Sequence, residues 1–230
     1  MRHLLGAAGL LLAVAVPAAA QDVCSQYRAA PAVGSWAEYR SDRDGQQFTS
    51  RLALVGQEKR NGKDALWFET SSDSPRGRMI SEMLVPGYPY EPGSVMEVVV
   101  KRGDQPARKM SPEMMAMMRG GGQGGQASAP PAGGQGRGMG RGMGGRAMSN
   151  WAQRCQEYTV VGKESVKVPA GTFETTHLRN PADSMDVWVS REVPFGLVKS
   201  QGRGATMELT GHGRDAKKSI TETPQEGSGM

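Results

Sequence analysis

The stretch MSPEMMAMMRGGGQGG, residues 110 to 125, sets thioethers beside glycine. Met110, Met114, Met115, Met117 and Met118, with Met139, Met143 and Met148 downstream, are uncharged soft donors that stay ligands where thiols oxidise, which is the chemistry of a Cu(I) or Ag(I) site. Two features oppose that reading. The tract holds no histidine, and Arg137, Arg141 and Arg146, interleaved with the later methionines, repel a cation. The same residues also spell a helix over 112–119: Ser111 can cap it, Pro112 suits its first position, Met110 can staple against Met115, and Gly120 stops it. Met114, Met117 and Met118, at i, i+3 and i+4, then form an apolar face for packing on a sheet.

Catalytic signatures are missing elsewhere. Ser35, in VGSWAE, does not form a GxSxG elbow. Beyond the leader, histidine stands at His177 and His212, in separate segments without metal-ligand spacing. Asp183 and Asp186 could meet His177 across a hairpin, a constellation for acid–base work, although an ordinary strand histidine is the plainer alternative. The glycine tract follows a helix rather than a strand, unlike a phosphate-cradling loop. We therefore expect no enzyme, no catalytic residue and no cofactor.

Residues 1–20 combine Arg2, an apolar run from Leu4 to Val16 and an Ala18–Ala20 end, the pattern of a signal peptide cut after Ala20. The run falls short of the roughly 20 apolar residues that span a bilayer. QDVC lacks the residues a lipoprotein cleavage site places before its cysteine, and no later segment is apolar for long enough to cross. A periplasmic or secreted protein with no transmembrane segment in its mature chain follows. From Gly120 to Asn150 no acidic residue occurs. In this compartment such a tract suits a flexible basic linker able to touch anionic headgroups, not a nucleic-acid arm. The formal charge of +5, one unit of it Arg2, speaks to solubility. Outside the cytoplasm Cys24 and Cys155 are expected to pair, a bridge that stabilises by about 4 to 5 kcal/mol in the chain-entropy account.

The elements positioning these groups read as strands. SWAEYR, QQFTSRLALV, ALWFETSS, RMISEMLV and VMEVVVKR follow one another from Val33 to Gly103, with DRDG and KRNGKD supplying the Asp-Gly and Asn-Gly signals of tight hairpins. Phe48, Leu52 and Leu54 alternate with Thr49 and Arg51, which predicts a sheet wet on one side. Met79, Ile80, Met83 and Leu84 also fit a turn and a half of helix; a strand is preferred. Pro86, Pro89 and Pro92 enforce an irregular connection. The second half predicts strands at 156–161, 164–168, 173–179, 185–191, 197–201 and 205–211, with Gly162, Pro169, Gly171, Pro194 and Gly196 at corners. Trp188, with Asp186 and Ser190 as same-face neighbours, suits sheet packing or the lining of a groove.

VGKESVKVPAGTFETTHLRN followed by DVWVSREVPFGLVKSQ resembles a group of exported bacterial proteins of unknown function, with sheets similar to the lipoprotein-carrier (LolA/LolB-like) fold. The resemblance spans about residues 158–201. It implies a strongly bent antiparallel sheet around a helix, with an apolar concavity able to hold an acyl chain, and it carries over no binding residue.

The expected architecture is mainly β: a single curved antiparallel sheet or open half-barrel with one short helix. One β-rich domain over 21–214 would be interrupted by a disordered Met/Gly/Arg-rich insertion at 120–150 and followed by a disordered tail at 215–230; two independent half-domains are the alternative. The expected function is non-enzymatic binding of a lipid or other hydrophobic, envelope-derived ligand on the curved sheet. Soft-metal binding by Met110, Met114, Met115, Met117 and Met118, or a structural role docking an envelope partner protein, are the alternatives.

Overall fold

The computed structural model describes residues 23–27, 29–74, 77–120, 154–182, 184–202 and 204–227, without the side chains at 74, 92 and 117–120. Residues 1–22, where the signal peptide is expected, Asp183, residues 121–153, which take in most of the expected insertion, and residues 228–230 lie outside them.

The protein is mainly β and builds one open sheet of twelve strands, ordered β12-β6-β5-β4-β3-β2-β1-β11-β10-β9-β8-β7. The first half supplies β1 (Trp36–Arg43), β2 (Gln46–Arg60), β3 (Lys63–Ser74), β4 (Gly77–Val85), β5 (Glu97–Arg102) and β6 (Arg108–Lys109). The second supplies β7 (Thr159–Val168), β8 (Gly171–Asn180), β9 (Met185–Val189), β10 (Leu197–Gly202), β11 (Ala205–Gly213) and β12 (Gln225–Glu226). Every neighbouring pair is antiparallel except the two-residue pairing of β6 with β12.

Turn chemistry sets the hairpins. Asp44-Gly45 and Asn61-Gly62 take φ of 51°, 77°, 54° and 77°, the positive pairs that match the strand twist, and they close β1–β2 and β2–β3. Met79–Leu84 is strand because it pairs on both sides, with Met83 opposite Phe68 and Val98. Gly162, expected at a corner, instead sits at a bulge inside a continuous β7, which keeps pairing with β8 on either side of it.

The two halves join where β1 pairs with β11. The sheet also curls, so that Ala170 N, in the β7–β8 turn, donates to Leu209 O of β11 across the intervening strands. One core cluster on the inner face draws on both halves: Tyr39, Leu54, Phe68, Leu178, Val189, Leu197 and Leu209 are each at most 2% exposed. The concavity implied by the resemblance is mostly filled by the chain's own connections. Tyr88 and Tyr90 from the proline-rich link, Phe195 from the β9–β10 connection, Tyr158, Met115 and the Cys24–Cys155 disulfide all pack into it. The helix forms over Pro112–Gly120 (α1), with Ser111 Oγ accepting from Met114 N at 3.3 Å.

The outer face is not uniformly wet, as the alternation implied: the polar tail covers Trp67, Glu69 and Glu82, and Val55 and Met96 pack on Ala65, Trp67 and Leu84. Ala53, Ala65, Trp67, Glu69, Glu82 and Leu84 are all buried there. Over 215–227 the segment expected to be disordered is fixed by Ile220, 3% exposed beside Ile80, Val99 and Ala107, and by β12 at the sheet edge. Composition hid this, since one aliphatic residue and a few main-chain amides do the holding.

Candidate functional site

A cleft of about 600 Å³ opens at the rim of the inner face, between the segment after Cys24 and the β9–β10 connection. The disulfide positions the first wall: Cys24 and Tyr27 form a helical turn buried against the core, with Tyr27 facing the cleft. Arg191, Val193 and Phe195 make the second wall. Across the gap Arg191 Nε donates to Gln26 Oε1 at 2.6 Å.

Phe195 has φ of 65°, a left-handed conformation that costs a bulky residue about 1–2 kcal/mol. Aromatic burial offsets it. The ring is 5% exposed and sits 6.1 Å from Phe68 and 6.2 Å from Tyr88. The connection is further held by Ser190 N donating to Gly196 O at 2.8 Å and Gly196 N donating to Val193 O at 2.9 Å.

Tyr88 lines the cleft and stacks on Phe68 at 5.6 Å, yet its buried hydroxyl has no hydrogen-bond partner among the described residues. Tyr39 differs: its buried hydroxyl donates to Leu197 O at 3.0 Å. Burial pushes the phenols of Tyr88 and Tyr39 well above the ordinary range and raises Tyr27 to about 12, against the pull of Arg191. All three remain donors at neutral pH. Arg191 and Arg214 stand at the mouth against one carboxylate, Glu192. Aromatic walls, an unsatisfied phenol and two guanidiniums suit an amphipathic molecule with an acceptor group. The lining holds no histidine or thiol to activate a nucleophile.

The sequence-stated candidates lie elsewhere. His177 does meet Asp186 across the β8–β9 hairpin, Nε2 lying 2.6 Å from Oδ1. Its Nδ1 lies 3.2 Å from Glu164 Oε1, and its ring stacks on Trp188 at 4.5 Å. Trp188 Nε1 donates to Glu164 Oε1 at 2.6 Å, and Arg179 Nε donates to Asp186 Oδ1 at 2.8 Å. Burial raises the Asp186 carboxyl, but the hydrogen bonds from Arg179 and His177 outweigh it and leave the group below its ordinary value. With both imidazole nitrogens engaged and one ring face covered, this outer-face ladder ties β7, β8 and β9 together. Trp188 is therefore a packing residue of that ladder, away from the cleft. His212 sits edge-on to Phe173 at 5.7 Å.

Among the methionines, Met115 is 8% exposed in the core, Met110 packs against the same cluster, and Met114 is 51% exposed. Helix α1 thus buries Met115 and leaves Met114 exposed. The side chains of Met117 and Met118, and all of Met139, Met143 and Met148, lie outside the described residues. Among those residues no cluster of His, Cys, Asp and Glu could hold a metal ion, and no helix is long and apolar enough to cross a membrane.

The cleft residues carry no sequence motif. VPFG and the Pro86–Pro92 link were legible as turns, but what their aromatics face depends on how the connections fold back over the sheet. Only the cysteine pair signalled that the first wall is pinned to the core.

No family model matches the chain, and no curated protein matches it. Among solved structures it is similar to MucB (TM-score 0.40, 11% identity, covering 87% of this chain and 60% of that one). It is also similar to MucB in complex with MucA(peri) (0.43, 11%, 90% and 59%). A third likeness is to a protein described as exported, of YmcC-like fold, from Bacteroides fragilis (0.34, 10%, 80% and 98%). The chain spans about 60% of the length of MucB.

Proposed function

We propose that the protein is a non-enzymatic binding protein of the cell envelope, periplasmic or secreted, whose rim cleft takes an amphipathic, envelope-derived ligand. The ligand's apolar chain lies against Tyr27 and Phe195, and its acceptor groups meet the Tyr88 hydroxyl, Arg191 and Arg214. The carrying observation is the buried Tyr88 hydroxyl, without a partner among the described residues, inside an aromatic cleft. Such a group costs stability in the empty protein and is satisfied when a ligand supplies an acceptor. The volume of about 600 Å³ falls in the range of small-molecule sites. The resemblance to carrier-like exported proteins supports the compartment; the reading assigns the ligand to a cleft built by connections rather than to the sheet itself.

Native mass spectrometry of the full chain extracted from its own envelope tests the reading, paired with titration of a fluorescent long-chain fatty acid. Copurifying lipid, and probe binding weakened by Arg191→Glu with Arg214→Glu, are the expected results. Absence of lipid together with absence of probe binding overturns it.

A further inference from the structure

On the outer face two carboxylates occupy directly opposed positions, Glu69 of β3 and Glu82 of β4, at 2% and 0% exposure. Like charges facing each other across a ladder repel, and burying them adds a desolvation cost. An apolar or threonine pair would suit a buried sheet position better, so residues that break a local rule call for a purpose.

Their partners come from one segment. Ser219 donates to Glu69 twice, from N to Oε2 at 2.7 Å and from Oγ to Oε1 at 2.6 Å. Ile220 N donates to Glu82 Oε1 at 3.3 Å, and Lys218 Nζ lies 2.9 Å from Glu82 Oε2 while covering the Trp67 ring at 4.5 Å. Ile220 fills the space between Ile80, Val99 and Ala107. The groove therefore reads an extended segment by two main-chain amides, one lysine on an aromatic face and one aliphatic side chain two positions later.

The segment seated there is fastened through one buried side chain and a limited set of polar contacts. Lys217, Lys218, Ser219 and Thr221 are exposed, Ile220 is the one buried side chain between Asp215 and Gly227, and regular pairing is limited to the two residues of β12. Its outer holds are Ala216 N donating to Gly34 O at 2.8 Å, Gln225 N donating to Ala107 O at 2.8 Å and Lys101 Nζ at 2.6 Å from Glu222 Oε1.

We propose that residues 216–227 are a displaceable strap over a docking groove, and that the groove receives in their place an extended segment of an envelope partner protein carrying lysine two positions before an aliphatic residue. The chain's own segment shows which chemistry the groove accepts and acts as the resident competitor. Being tethered, it acts at an effective concentration on the order of millimolar, so a partner segment enters mainly when the strap is loosened.

The test uses the full chain and a fluorescently labelled synthetic peptide of residues 215–227. Hydrogen exchange in the unmodified chain should show the amides of Ser219, Ile220 and Gln225 exchanging by local opening, at least about a hundredfold faster than those of Phe68 and Met83. The peptide should bind the Ile220→Asp chain at least about tenfold tighter than the unmodified chain, and lose that binding when it carries Lys218→Glu. Ser219→Pro, which removes an amide donor at an exposed position, serves as the second loosened variant should Ile220→Asp unfold by circular dichroism. Strap amides exchanging in step with β3 and β4, a peptide that binds neither loosened chain more tightly, or binding indifferent to the lysine each overturn the proposal. None of these readouts depends on what occupies the rim cleft.

Discussion

Replacing Tyr88 with phenylalanine should stabilise the empty protein and weaken its ligand binding, opposite signs from the loss of a single oxygen atom. The ring is fixed by stacking on Phe68 at 5.6 Å and by its edge contact with Phe195 at 6.2 Å, and phenylalanine keeps both. What disappears is a buried hydroxyl without a partner, whose desolvation costs about 1–3 kcal/mol. For a chain of this size each kcal/mol moves the melting temperature by roughly 2–4 °C, so a rise of roughly 2–12 °C is expected from thermal denaturation followed by circular dichroism. With the fatty-acid probe, losing a hydrogen bond of about 0.5–1.5 kcal/mol should weaken affinity by roughly 2- to 12-fold. Tyr39→Phe is the control. Its hydroxyl donates to Leu197 O, so the same edit there should lower the melting temperature. A fall in melting temperature for Tyr88→Phe would mean that its hydroxyl is satisfied in the empty cleft. Unchanged affinity would mean that the group does not face the ligand; either result refutes the reasoning.

Further expectations concern the supports of the cleft and sheet. Replacing Cys24 and Cys155 with serine frees a loop of 131 residues, worth about 5 kcal/mol in the chain-entropy account, and should lower both the melting temperature and probe affinity, since Tyr27 loses its anchor. Met115→Ala should cost about 2–4 kcal/mol in denaturant titrations and Met114→Ala almost nothing, because one is buried and the other 51% exposed. The Asp186 carboxyl is held below its ordinary value, so its contribution is present above pH 3.8 and is lost as pH falls through the lower, folded value. Asp186→Asn should therefore melt below the unmodified chain at pH 7, with the gap closing as the pH is taken below 3.8. Gly34 has φ of 93°, and a β-carbon there would lie 2.6 Å from Arg214 O. Gly34→Ala should accordingly destabilise by about 1–3 kcal/mol and speed exchange at the Ala216 amide.

The strands were legible because their information is local. Alternation, Asp44-Gly45 and Asn61-Gly62 fix hairpins whatever the rest of the chain does. Met79–Leu84, ambiguous by period, is decided by neighbours on both sides, which no window of sequence contains. The pairing of β1 with β11 and the two-residue strands β6 and β12 are likewise long-range. The course of the tail is long-range as well: a segment with one aliphatic anchor carries the composition of a disordered one, and the acids that hold Ser219 and Ile220, Glu69 and Glu82, stand 150 and 138 residues earlier. His177 and Asp186 were the reverse case, since a hairpin alone brings them together; what could not be foreseen is that Glu164 and Trp188 would occupy the rest of the imidazole.

Both candidate recognition surfaces arise where non-sheet segments cover the sheet, and there is a physical reason for that. A strand interior spends its main-chain groups on its neighbours and can offer only side chains, whereas a connection or strap keeps amides, strained residues and unsatisfied hydroxyls available. On the inner face this yields Phe195 at positive φ and the unpartnered Tyr88 hydroxyl; on the outer face it yields amides at 219 and 220 aimed at buried acids. The two meet at Gly34 and Arg214. Arg214 lines the cleft, and two residues later Ala216 N begins the strap by bonding Gly34 O. Any energetic coupling between the faces must therefore pass through that short junction before it reaches Ser219 and Ile220.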